Sequence, residues 1–136
     1  MLDNLISDLE KYLQTSLIKE DNPNRKGYLL TLNDDTEIWF EEGPQGIYIT
    51  TQICHFNEKE LINPEDFYMY ISKANYLGQG TGDSIISIHP DEKFLTLSTL
   101  IAYEVNYKMF RDLIEDFVNY LAFWQKEINK KVRLDK

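Results

Sequence analysis

The 136-residue sequence is poor in the residues that most chemistry requires. It has one cysteine, Cys54, so no internal disulfide can form, and the chain fits a reducing compartment. Its two histidines, His55 and His89, stand with Cys54 at no spacing that suits zinc. No apolar run approaches the roughly 20 residues of a membrane span. The N-terminus mixes polar and apolar residues from Asp3 onward and does not read as a signal peptide. Basic residues are also scarce: 14 stand against 23 acidic ones, a net charge of −9. That balance opposes nucleic acid and anionic membrane surfaces and suits a basic or apolar protein partner. These absences predict a cytoplasmic chain with no nucleic-acid partner, no membrane insertion and no metal.

Glycine is scarce too, and unevenly placed. Three of six glycines, Gly78, Gly80 and Gly82, alternate in the stretch Ala74-Asn75-Tyr76-Leu77-Gly78-Gln79-Gly80-Thr81-Gly82. A helical pattern enters this stretch and a strand pattern leaves it. A phosphate loop needs the reverse order, so that a helix N-terminus meets the anion. A dinucleotide fingerprint would also need glycine where Asp83 stands. The glycines therefore predict a structural loop, a helix C-cap followed by backbone at positive φ.

What is present is apolar periodicity rich in rings, with nine tyrosines and seven phenylalanines. Leu2, Leu5, Ile6, Leu9, Leu13 and Leu17 predict a helix over about residues 2 to 18, ended by a loop at Asp21-Asn22-Pro23-Asn24. Three strands follow, Gly27 to Leu32, Glu37 to Glu41 and Ile47 to Ile53, joined by tight turns into an antiparallel meander. Asn63-Pro64-Glu65-Asp66 starts a second helix with a cap residue, a proline and first-turn acids. Its stripe is Phe67, Tyr70, Ile71, Ala74 and Leu77. A hairpin spans about Asp83 to Ile88 and Phe94 to Ile101, with apolar residues on both faces of its last strand. Tyr107, Phe110, Ile114, Phe117, Leu121, Trp124 and Ile128 place a heptad-spaced seam on the closing helix. The fold class is thus α+β: a single domain over residues 1–136, two layers, ordered α-β-β-β-α-β-β-α, with a twisted antiparallel sheet against helices. Apolar residues on both sheet faces predict a further partner, here a second copy of the chain.

Catalytic readings fare poorly. Cys54 and His55 are adjacent, and in extended chain neighbours point to opposite faces. Asp34-Asp35 and Glu41-Glu42 lie at hairpin ends and read as solvated turns. No triad, P-loop or acid/base pair follows from spacing.

With this element order in place, the chain resembles the class I type III secretion chaperones, the Tir-chaperone-like family. The resemblance rests on Ala74-Asn75 with Gly78-Gln79-Gly80-Thr81-Gly82, on the hairpin with His89-Pro90-Asp91-Glu92 and Phe94-Leu95-Thr96-Leu97, and on Phe110, Leu113 to Asn119 and Trp124 of the closing helix. Motifs cover residues 64 to 130; the remainder matches by element order. Asp83 after Gly82 departs from the family's usual second glycine. The resemblance implies a small acidic homodimer of the bacterial cytoplasm that binds the N-terminal chaperone-binding region of a secreted effector in extended form. It would keep that effector export-competent, with no cofactor and no enzymatic activity. The implied dimer interface uses the second helix and the hairpin, where the apolar pattern offers Tyr70, Ala74, Ile86, Ile88, Leu95 and Leu97. For effector binding the implied patches are Leu5, Leu9 and Tyr12 on the first helix and Ile38, Phe40 and Tyr48 on the strands. The competing expectations are a protein-binding or regulatory module of the same fold with another partner, and a small enzyme whose site is assembled from scattered residues.

Overall fold

The computed structural model describes residues 2–23, 25–32, 36–55, 57–61, 63–78, 83–89 and 94–134. Helix α1 (Leu2–Leu13) leads into strands β1 (Ile18–Asn22), β2 (Arg25–Leu32), β3 (Thr36–Glu42) and β4 (Ile47–His55). Helix α2 (Pro64–Asn75), strands β5 (Ile85–His89) and β6 (Phe94–Ile101) and helix α3 (Tyr107–Leu134) follow. The strands form one antiparallel sheet in the order β1-β2-β3-β4-β6-β5. The structure is α+β with the sheet packed against helices, as the sequence predicts, except that the first half carries a fourth strand.

That strand corrects the expected helix of residues 2 to 18. The helix stops at Leu13 because Gln14 turns to φ 56°, a left-handed geometry that ends helices. The Glu10 carboxylate then accepts the Leu17 N–H at 2.8 Å and holds the chain back on itself. Leu17 is buried, but from the connecting segment rather than from a helical turn. Ile18, the end of the expected helix, and Asp21 and Asn22, which read as loop, pair with β2 together with Lys19 and Glu20 between them, Ile18 opposite Leu29 and Asn22 opposite Arg25.

The remaining elements begin and end for visible reasons. Asn63 caps α2: its Oδ1 accepts the Asp66 N–H at 3.2 Å, and Pro64 needs no donor in the first turn. Gly78 has φ +71°, as its place after the helix requires; Gly80 and Gly82 lie outside the described residues. A bulge at Ile53 shifts the register of β4 between Gln52 and Cys54.

All three helices pack on one face of the sheet. Leu30, Ile38, Phe40, Ile47, Ile49, Ile86, Leu95 and Leu97 supply the strand side of that core. Leu5, Ile6 and Leu9 of α1, Phe67, Ile71 and Ala74 of α2, and the α3 seam from Phe110 to Ile128 cover it. Phe40 meets Phe110 with ring centroids 6.2 Å apart. The one buried hydroxyl in the middle of β4, Thr51, donates to the Glu37 carbonyl at 2.7 Å, so its burial leaves no unmet donor.

Candidate functional site

A groove of about 370 Å³ opens between the end of α1, the end of β2 and the middle of α3. Leu9, Leu13, Leu30, Leu32, Ile114 and Val118 line it with apolar surface; Tyr12, Arg111, Glu115 and Asn119 form its polar rim. The rim is a connected set. The Tyr12 hydroxyl donates to Glu115 Oε1 at 2.9 Å, which pushes its pKa above the ordinary phenol value. The Arg111 guanidinium carbon lies 5.1 Å from the Tyr12 ring centre and 6.0 Å from that of Tyr107, within cation–π range of both. Below it, Arg111 Nε and the Tyr107 hydroxyl are buried without a hydrogen-bond partner among the described residues. An apolar trough with a rim of this kind fits an apolar side chain on a segment whose backbone stays polar.

The sheet edge next to this groove is open. Strand β2 runs to Leu32, but its pairing with β1 reaches only Leu29. Leu30 to Leu32 therefore extend past β1 along the groove wall. The opposite edge is closed at the second residue of β5. Asn75, the last residue of α2, donates through Nδ2 to the Ile86 carbonyl and accepts the Ile86 N–H through Oδ1, each at 2.9 Å. Its side-chain amide occupies both main-chain groups that β5 would offer an incoming strand at that residue.

Of the expected effector contacts, the structure brings Leu9 and Tyr12 together at the groove, Tyr12 exposed on its rim and Leu9 beneath its floor, where it is as buried in the core as the three that follow. Leu5, Ile38 and Phe40 differ from expectation. They are buried in the chain's own core because they point to the helix-covered face, so they present no surface in this conformation. Tyr48 points to the other face, where its ring lies against Gly43; a Cβ there would come within 2.7 Å of Tyr48 Cδ2.

The expected dimer contacts divide in the same way. Ala74, Ile86, Leu95 and Leu97 are buried within the chain, and Ile88 packs partly against the same core. Tyr70 is half buried; its ring meets Trp124 edge-on at 5.6 Å and its hydroxyl donates to Glu127 at 2.8 Å. Burial, then that bond, pushes its pKa up to about 12. Among the described residues, the exposed large apolar ones in this region are Met69, Tyr76 and Ile85.

Sequence reasoning missed Arg111, Leu32 and Val118. A signal for the helix residues existed: Tyr107, Arg111, Ile114 and Val118 recur at steps of four, three and four, a second stripe beside the aromatic seam. The catalytic candidates gain nothing from the fold. Burial pushes the Cys54 thiol up to about 11, so it stays protonated at neutral pH. Among the described residues no group of His, Cys, Asp and Glu could hold a metal ion. No helix among them is long and apolar enough to cross a membrane.

No protein-family model matches the chain, and no curated protein matches it in sequence. Solved structures do match. The crystal structure of the ExsC–ExsE complex contains a chain that superposes with a TM-score of 0.70 at 11% identity, over 91% of this chain and 90% of that one. The HopA1–SchA chaperone–effector complex contains another, with a TM-score of 0.68 at 7% identity, over 91% of this chain and 92% of that one. The order of helices and strands, the six-stranded sheet and superpositions over nine-tenths of each chain together give this chain the fold of a chain in the ExsC–ExsE complex and of one in the HopA1–SchA chaperone–effector complex.

Proposed function

We propose that the chain is a non-enzymatic secretion chaperone, working as a homodimer in the bacterial cytoplasm without a cofactor. It binds the N-terminal part of a secreted effector as an extended segment and keeps it competent for export. The observation that carries this reading is the apolar groove beside the unpaired end of β2. Main-chain pairing along Leu30 to Leu32 supplies affinity that does not depend on sequence, and alternate side chains reach Leu9, Leu13 and Val118. Asn75 supports the same choice of edge, because it closes β5 where strand addition would otherwise compete. The HopA1–SchA structure is a chaperone–effector complex, which fits an effector as the partner here.

The dimer surface in this proposal moves from the buried hairpin residues to the exposed ones beside them. Met69, Tyr76 and Ile85 lie along the α2 and β5 end of the molecule, away from the groove. A two-fold axis there buries each residue twice and leaves both grooves open.

The test is binding of a co-purified effector to the unmodified chain and to Tyr12→Ala and Val118→Asp variants. A weakening of about tenfold or more, 1.4 kcal/mol, is expected from either change. Equal affinity in folded variants would remove the groove from the account.

A further inference from the structure

Strand β1 is held differently from its neighbours. Each of the other five strands places at least one side chain in the core, whereas Ile18, Lys19, Asp21 and Asn22 are exposed and Glu20 is half-buried. Lysine, glutamate, aspartate and asparagine are poor strand formers. β1 pairs with β2 alone, from Ile18 opposite Leu29 to Asn22 opposite Arg25. Without apolar burial inside the strand, its hold rests on main-chain pairing and surface polar contacts, and exposed ion pairs add little.

The face of this stretch that turns toward α1 carries a pattern at every second residue. Leu17 is buried just before the strand, and its N–H is held by Glu10. Lys19 reaches Asp3 at 3.9 Å, and its ammonium lies 5.7 Å from the Tyr28 ring centre. Asp21 meets Lys26 at 3.8 Å, directly across the ladder. Lys19, Asp21, Asp3, Tyr28 and Lys26 line one cleft of about 260 Å³. An apolar, a basic and an acidic side chain therefore each meet a group of α1 or β2. Gln14, at φ 56°, is the bend that carries the stretch there.

We propose that Leu17 to Asn22 is an exchangeable strand, the resident occupant of a site for an extended protein segment with the pattern apolar, any, basic, any, acidic. The partner segment displaces β1, pairs with β2 from Arg25 to Leu29 and sets its own three side chains where Leu17, Lys19 and Asp21 now lie. This rests on the chaperone reading and lengthens the seat at Leu30 to Leu32 into one edge along all of β2. A partner with β-branched residues at the intervening positions favours the strand where Glu20 and Asn22 do not. That is the advantage an incoming segment needs over a tethered one.

The test uses the full chain and a capped synthetic peptide, threonine-valine-leucine-valine-lysine-threonine-aspartate-threonine, followed by amide NMR and hydrogen exchange. The peptide should bind saturably, protect the β2 edge and release the β1 amides to exchange. A second peptide with lysine and aspartate interchanged sets like charges against Asp3 and Lys26, and should bind about tenfold more weakly. Ile18→Cys with Leu29→Cys, opposed across the ladder, ties β1 in place when oxidised. Oxidation should weaken binding about tenfold and reduction should restore it. Both forms carry Cys54→Ala so that no other thiol competes. If the cross-link does not form, Lys19→Pro with Glu20→Pro decides. Neighbouring N–H groups alternate in direction, so one of the two changes breaks the ladder, and binding should tighten. No binding, equal binding of the interchanged peptide, or added protection of β1 on binding would overturn the inference. Binding at Leu30 to Leu32 that the cross-link leaves unchanged would overturn it with the chaperone reading intact; that reading fails on the groove variants instead.

Discussion

Replacing Asn75 with alanine removes both hydrogen bonds that tie the end of α2 to the sheet edge. The Ile86 N–H and carbonyl then face solvent at an edge strand. A hydrogen bond of this kind contributes about 0.5–1.5 kcal/mol, so two bring the loss to about 1–3 kcal/mol. Ile86 is buried, but its main-chain groups point outward from the sheet, where water can replace part of the pairing. That places the expected loss in the lower half, about 1–2 kcal/mol. With an unfolding entropy of about 2.1 cal/mol/K per residue over 136 residues, the melting temperature should drop by roughly 3–7 °C. Asn75→Asp makes a sharper comparison. Its carboxylate can still accept from the Ile86 N–H but cannot donate to the carbonyl, and it repels that oxygen. Its defect should match or exceed that of alanine at neutral pH and shrink as the introduced carboxyl protonates in acid. Thermal melts of the three proteins by circular dichroism, at equal concentration, measure this. A second readout is self-association by gel filtration, which should rise in the alanine variant as the β5 edge opens. A melting temperature within about 1 °C of the unmodified chain, with no added self-association, would refute the clamp.

Three further outcomes are expected. Gly78→Ala should destabilise by about 1–2 kcal/mol in denaturant titration, from the left-handed backbone alone, because nothing lies within 4 Å of the added carbon. Tyr70 and Tyr28 both have folded pKa values near 12 against an ordinary 10, Tyr70 through burial first and Tyr28 through its hydrogen bond to Asp3. A raised folded pKa gives stability that is present below pH 10 and lost as pH rises to about 12, so denaturant midpoints should fall across that window and fall less steeply in Tyr70→Phe. Light scattering at micromolar concentration should give twice the 16.1 kDa chain mass, and Ile85→Asp should return it to one; a monomeric unmodified protein would contradict the dimer.

The fold was legible wherever apolar period and punctuation agreed. Asn63-Pro64 marked α2, and the α3 seam from Phe110 to Ile128 is buried along its length. Strand β1 was not legible because Lys19 to Asn22 show neither alternation nor β-branched residues; they are a strand because β2 offers an edge. The candidate site was legible only in part, for a physical reason. Apolar residues with strand spacing do not reveal which face the helices will cover. Ile38 and Phe40 fell on the covered face, and Trp39 and Tyr48 on the other. Leu9 and Tyr12 could be placed because helical spacing puts a stripe and its flank in fixed relation. Arg111 was hidden by its charge, although its place on the helix made it a groove residue.

The most direct test of the account is co-purification from the native cells followed by mapping of the bound partner. The unmodified chain should retain one or two exported proteins. Limited proteolysis should then leave a protected N-terminal segment of each, and hydrogen exchange should slow along Leu30 to Leu32 of β2 in the complex. Tyr12→Ala with Val118→Asp should release that segment while the chain stays folded. Retention of the partner at full strength by the folded variant, or protection that leaves Leu30 to Leu32 unchanged, would contradict the claim that the groove and the open end of β2 hold the effector.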